Sequence, residues 1–185
     1  MEINLSWDLF VIVFFTVIIA YSFIIGRNQT LKIIIASYIA ILAADGIGSL
    51  LDRYLIGDTA LVDTGLTNTE SSLIVIKIMI FVFTIVLITT RGRFAINMGN
   101  TGSGMLNLAL TMTYGILSAG LITSTILIYA SGSSLVEGGE LLNQAVLDIY
   151  RESQLVRLMI NNYSVWFSLP AITFVVSSFL TSDEE

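Results

Sequence analysis

The chain has 185 residues, 55% of them hydrophobic and 12% charged, with a mean hydropathy of +0.88 and a formal net charge of −6. Soluble domains carry about a quarter charged residues, so this much apolar surface suits a bilayer better than water. The absence of Cys and His excludes disulfides, thiol nucleophiles, Cys- or His-ligated metals and the commonest general base, and the acidic balance argues against nucleic acid as a partner.

The first apolar stretch, residues 7–26, is long enough for a span of about 20 residues. Its leading segment carries Glu2 and Asp8 with no Lys or Arg, and no small-residue cleavage site follows it. It therefore reads as a retained helix and not as a signal peptide.

The second stretch, residues 32–51, is the one the others are expected to pack around. Ala36, Ala40, Ala44 and Gly48 recur at four-residue spacing and make one stripe of very small side chains on a helix. Helices in lipid gain little by hiding oily surface from one another and associate through close backbone approach, which such stripes allow. Asp45 sits beside the stripe, about 10 Å from the outer end of its helix. A carboxylate at that depth is costly unless it is paired or faces a polar cavity.

The third stretch, residues 73–90, is rich in Ile, Val and Phe, has no small stripe, and is expected to face lipid more broadly. Lys77 enters it at a depth close to that of Asp45, which makes Asp45 and Lys77 a candidate intramembrane charge pair. The competing reading has Lys77 snorkelling to the headgroups and Asp45 capped by nearby hydroxyls.

The fourth stretch, residues 105–130, repeats the small-residue device with Thr111, Gly115, Ala119 and Thr123. Two such stripes predict helix packing between the second and fourth spans. The glycine-rich connection ahead of it lacks the Gly-Lys-Ser/Thr of a phosphate loop. It reads as a connector, with Asn100 or Ser103 capping the next helix.

Residues 131–139 form a polar turn, and residues 140–163 place Leu142, Val146, Ile149, Val156, Met159, Ile160 and Tyr163 at helical spacing. The last apolar run, residues 165–180, is divided by Pro170, with about ten apolar residues after it, too few for a full span. A surface-lying or half-inserted segment is expected, because a fifth crossing would carry Asp183, Glu184 and Glu185 to the cytoplasm.

Charge alternates between the spans. Arg27 and Lys32 follow the first, and Arg91 and Arg93 follow the third without an acid beside them. The connection 52–72 carries Asp52, Asp58, Asp63 and Glu70 against Arg53, and the segment after the fourth span is again acid-rich. Basic short loops stay cytoplasmic, so both termini and the 52–72 connection are expected outside. The fold class expected is an all-α integral membrane protein. It comprises four transmembrane helices in residues 1–132 and an extracytoplasmic amphipathic helix with an apolar tail in residues 133–185.

Few groups offer chemistry. Asp45-Gly46-Ile47-Gly48 holds the residues of the Gly-x-Gly-Asp element of intramembrane aspartyl proteases in the wrong order, with no second intramembrane Asp. The serines have no His and no well-placed Lys to activate them. No catalytic residue, cofactor site or metal site is expected.

The order of parts resembles the CvpA (colicin V production protein) family of bacterial inner-membrane proteins. The resemblance rests on an N-terminal Trp/Asp, a first span ending in Gly26-Arg27 and an acidic outer loop. It continues with the entry TGSGMLNLALTMTYGILSAGLI to the fourth span and the trailing ESQLVRLMINNYSVWFSLP. It implies a four-span inner-membrane protein linked to colicin V production and envelope integrity, a unit that in some relatives anchors an outward-facing protease domain. The function expected is thus a non-enzymatic bacterial inner-membrane module that works through helix packing, with homo-oligomers or other membrane proteins as partners in the lipid bilayer. The alternative is a small oligomeric channel or transporter subunit using Asp45.

Overall fold

The computed structural model describes residues 7–51, 53, 69–93, 96, 104–132 and 150–180. It is all-helical over these residues, with α1 (Trp7–Ile25), α2 (Arg27–Leu51), α3 (Thr69–Arg91), α4 (Gly104–Ala130), α5 (Gln154–Asn161) and α6 (Tyr163–Leu180). Four of these helices are long and apolar enough to cross a membrane, and a bent helical pair follows them. Large apolar side chains such as Ile24, Met79, Phe83 and Met105 point outward, which suits lipid and not water.

The first connection is shorter than its sequence suggests. Gly26 adopts a φ of 79°, the left-handed conformation that ends a helix at little cost for glycine. The next helix begins at Arg27. Thr30 stitches this one-residue corner, its hydroxyl donating to the Gly26 carbonyl at 2.9 Å and to the Ser22 carbonyl at 3.4 Å. Arg27 and Lys32, expected as loop charges, are instead helical and buried.

Lys32 is buried because it has work to do on the neighbouring helix. Its ammonium donates to the Gly92 carbonyl at 2.7 Å and the Thr89 carbonyl at 3.3 Å. These belong to the C-terminal end of α3, where carbonyls lack intrahelical partners and the helix dipole favours a cation. At the other end of the same pair, the aliphatic stem of Lys77 lies across Gly48. The two contacts make α2 and α3 antiparallel neighbours. Phe81 is fully buried, whereas the other described side chains of α3 are half-buried or exposed.

α4 runs opposite to α1. Gly115 faces Ser22, whose Cβ would stand 3.1 Å from a Cβ added at that glycine. α2 runs in the same direction as α4, with the Arg27 charge reaching Tyr114 and the Tyr129 hydroxyl reaching the Ile41 carbonyl at 3.2 Å. The buried core between them is built from Leu31, Ile34, Ile41, Phe81, Tyr114 and Leu121, with small Ala40 and Ala44 letting the backbones approach. The contact expected between the second and fourth spans is present. Its glycines, however, serve other seams: Gly48 receives α3 and Gly115 receives α1.

Of the amphipathic segment expected over 140–163, residues 140–149 lie outside the described residues. The remainder gives α5, capped by Ser153, whose side chain accepts from the Val156 amide at 3.0 Å. Val156 and Met159 are buried, and Ser124 of α4 donates to the Met159 sulfur at 3.6 Å. Asp8 of α1 completes the cap, accepting from the Ser153 hydroxyl and from the Leu155 amide at 3.1 Å.

Pro170 does not divide the last apolar run. The break falls at Asn162, where α5 and α6 bend by 62°, and Pro170 sits buried inside α6. A helical proline loses an N–H and crowds the preceding turn, and membrane helices tolerate it where neighbours satisfy the freed backbone. Here Tyr38 of α2 donates to the Phe167 carbonyl at 2.5 Å, one residue after the Trp166 carbonyl that the proline leaves without its amide. The helix then packs lengthwise and antiparallel on α4. Trp166 meets Gly120, and the Tyr114 hydroxyl pairs with Ser177 and donates to the Thr173 carbonyl at 3.3 Å.

Candidate functional site: the buried carboxylate of α2

α2 presents Ala36, Ala40, Ala44 and Gly48 to its neighbours, and all four are buried. Thr111, Gly115, Ala119 and Thr123 of α4 are buried as well. Both stripes are therefore consumed inside one copy of the chain, and the hydroxyls of Thr111 and Thr123 turn back onto carbonyls of their own helix.

Asp45 follows Ala44 directly, so the close approach that the alanine allows draws the carboxylate inward with it. It is 5% exposed, and neither carboxylate oxygen has a hydrogen-bond partner. Such a group is expensive, because its desolvation is repaid by no donor.

Two residues from other helices stand beside it. Lys77 of α3 lays its stem over Gly48, one turn further along α2, with Cε 2.5 Å from where a Cβ would be. The expected pair of Asp45 and Lys77 is thus brought within one turn but not joined by a hydrogen bond, since the carboxylate oxygens have no donor. The reason is geometric: the glycine holds the lysine by its methylenes, which gain from apolar contact wherever the ammonium ends.

The second neighbour, Tyr129 of α4, is absent from the sequence-derived set. It is fully buried, its ring meets Phe81 edge-on at 6.0 Å and 78°, and its hydroxyl donates to the Ile41 carbonyl at 3.2 Å. Ile41 lies one turn before Asp45, and the carboxylate is near enough to compete for the same hydroxyl. A tyrosine at the end of a span is ordinarily read as an interface anchor, so no sequence signal separates this one.

Four basic residues, Arg27, Lys32, Arg91 and Arg93, gather at one end of the bundle. Arg91 and Arg93 are exposed beside the Gly92 carbonyl held by Lys32, and Arg27 opens α2 at the same end. Asp8 and the α5 cap lie at the other end, near the close of α4. The first and third connections therefore share one end.

Among the described residues no group of three or more acidic, His or Cys side chains comes together to hold a metal ion. What the site can do chemically is accept a positive charge or a hydrogen-bond donor at a single carboxylate inside an apolar bundle. No protein-family model, curated protein or solved structure matches the chain.

Proposed function

We propose that this chain is a non-enzymatic membrane module, a small channel or transporter subunit whose working group is Asp45. It would sit in the bacterial cytoplasmic membrane with the end bearing Arg27, Lys32, Arg91 and Arg93 facing inward, the side that basic short loops take. The observation that carries this reading is the 5% exposure of an acid whose two oxygens have no donor. Packing alone favours an apolar residue at that place, and intramembrane carboxylates mark ion and proton pathways.

Four or five helices of this length enclose little space, so the working unit is an oligomer that uses the outer faces. The assembly reading, an export or envelope-maintenance module of the colicin V production type, drew on the two small-residue stripes and on the lack of catalytic groups. Both stripes are buried within one copy, which shifts the weight to the carboxylate.

The test is flux across vesicles reconstituted with the purified protein. Asp45→Asn preserves shape, and it is expected to abolish a proton or cation flux that the unaltered chain supports. Equal flux from both proteins retires the proposal.

A further inference from the structure

We propose that Asp45 and Tyr129 form a proton-binding switch, in which the Tyr129 hydroxyl moves its hydrogen bond between the Ile41 carbonyl and the Asp45 carboxylate as Asp45 gains and loses a proton. This deepens the reading above by naming the ion, and it rests on that reading only for its link to transport.

The Ile41 carbonyl is the weaker of the two acceptors. In a continuous helix it already serves the amide of Asp45, and its 3.2 Å distance to Tyr129 is at the long end for a hydroxyl donor. One turn along α2 lies a carboxylate with both oxygens bare. A bond from a hydroxyl to an ionised carboxylate is shorter and about twice as strong as one between neutral groups. With Asp45 ionised, Tyr129 therefore belongs on the carboxylate. With Asp45 protonated, that advantage vanishes and the hydroxyl returns to the carbonyl.

The protonation step is balanced without further chemistry. The carboxylate takes one proton to become the neutral acid, and the tyrosine O–H bond stays intact and only reorients. The ring meets Phe81 edge-on, and the Ile41 carbonyl points along α2 toward the Asp45 amide, so the hydroxyl changes acceptor by reorienting.

A proton suits the site better than a metal ion. Hard cations draw on about six or more oxygens, whereas among the described residues no cluster of acids converges here. Among the described residues, the titratable groups packed near Asp45 are Tyr129 on α4 and Lys77 on α3, whose stem crosses Gly48.

Infrared difference spectroscopy on the protein in lipid nanodiscs, stepped in pH with and without sodium, tests the switch directly. The expected result is a protonated-carboxyl band that grows on acidification and is lost in Asp45→Asn. A tyrosine C–O band, identified by its loss in Tyr129→Phe, should shift in step with it in the unaltered protein. In Tyr129→Phe the carboxyl band should move to higher pH, because the ionised form has lost its donor. The proposal is overturned if no Asp45-dependent band appears at any pH, if the tyrosine band stays fixed while the carboxyl band titrates, or if sodium at constant pH removes the carboxyl band. Because these bands are read without flux, a silent vesicle assay with the bands intact sinks transport alone.

Discussion

The ring of Trp166 rests on the backbone of Gly120, closer than any side chain at that position would permit. This contact seats α6 on α4, with Phe15 of α1 edge-on to the same indole at 6.1 Å and 75°. Adding a single methyl group by Gly120→Ala should expel the indole. Overpacking of this kind costs about 1–3 kcal/mol. The expected readout is a lower unfolding midpoint in mild detergent and a red-shifted tryptophan emission. Restoring space with Trp166→Ala should remove most of the penalty of the alanine, and fully additive losses would show that the two residues are independent.

Lys32 ties α2 to the end of α3 through the Thr89 and Gly92 carbonyls. Lys32→Met keeps the stem and removes the donor. A hydrogen bond from a charged donor contributes about 1.5–3 kcal/mol, so the variant should unfold earlier. Hydrogen exchange at residues 88–93 should quicken more than exchange in α1. Unchanged protection there would mean that the bond holds nothing in solution.

Asp45→Leu separates stability from function. An unpartnered buried polar group costs about 1–3 kcal/mol, so the leucine variant should be more stable than the unaltered chain by at least ~1 kcal/mol while losing flux. A less stable Asp45→Leu protein would indicate that the carboxylate is satisfied in the folded state.

Tyr114 touches Ser177 of α6 and lies within reach of Arg27 at the α1–α2 corner. The end of α6 is thus level with the basic end of the bundle, which makes the bent α5–α6 pair a candidate fifth crossing. A reporter fused after Glu185 is expected on the same side as one placed in the 94–103 connection. Labelling from outside would restore the external tail read from the charge pattern.

The number of long apolar helices, their limits to within a few residues, and the inward turn of Ala36, Ala40, Ala44, Gly48 and Asp45 were all legible in the sequence. Each depends on composition and on a period of about 3.6 residues, which one helix possesses alone. The shared end of the two basic connections follows from an even number of crossings between them.

The partner of each face was not legible, because neighbouring helices in lipid are equally apolar and periodicity names a face without naming what meets it. Only the packed bundle sent Gly48 to the Lys77 stem and Gly115 to Ser22, and set Tyr129 beside Asp45. Pro170 and Lys32 misled for a related reason. A proline breaks an isolated helix and a lysine marks a loop, yet here Tyr38 donates beside the disturbed turn and the lysine caps the end of α3. Local propensity fixed the helices one at a time. Hydrogen bonds made across the bundle, strong where water is scarce, decided how they close around one unpartnered acid.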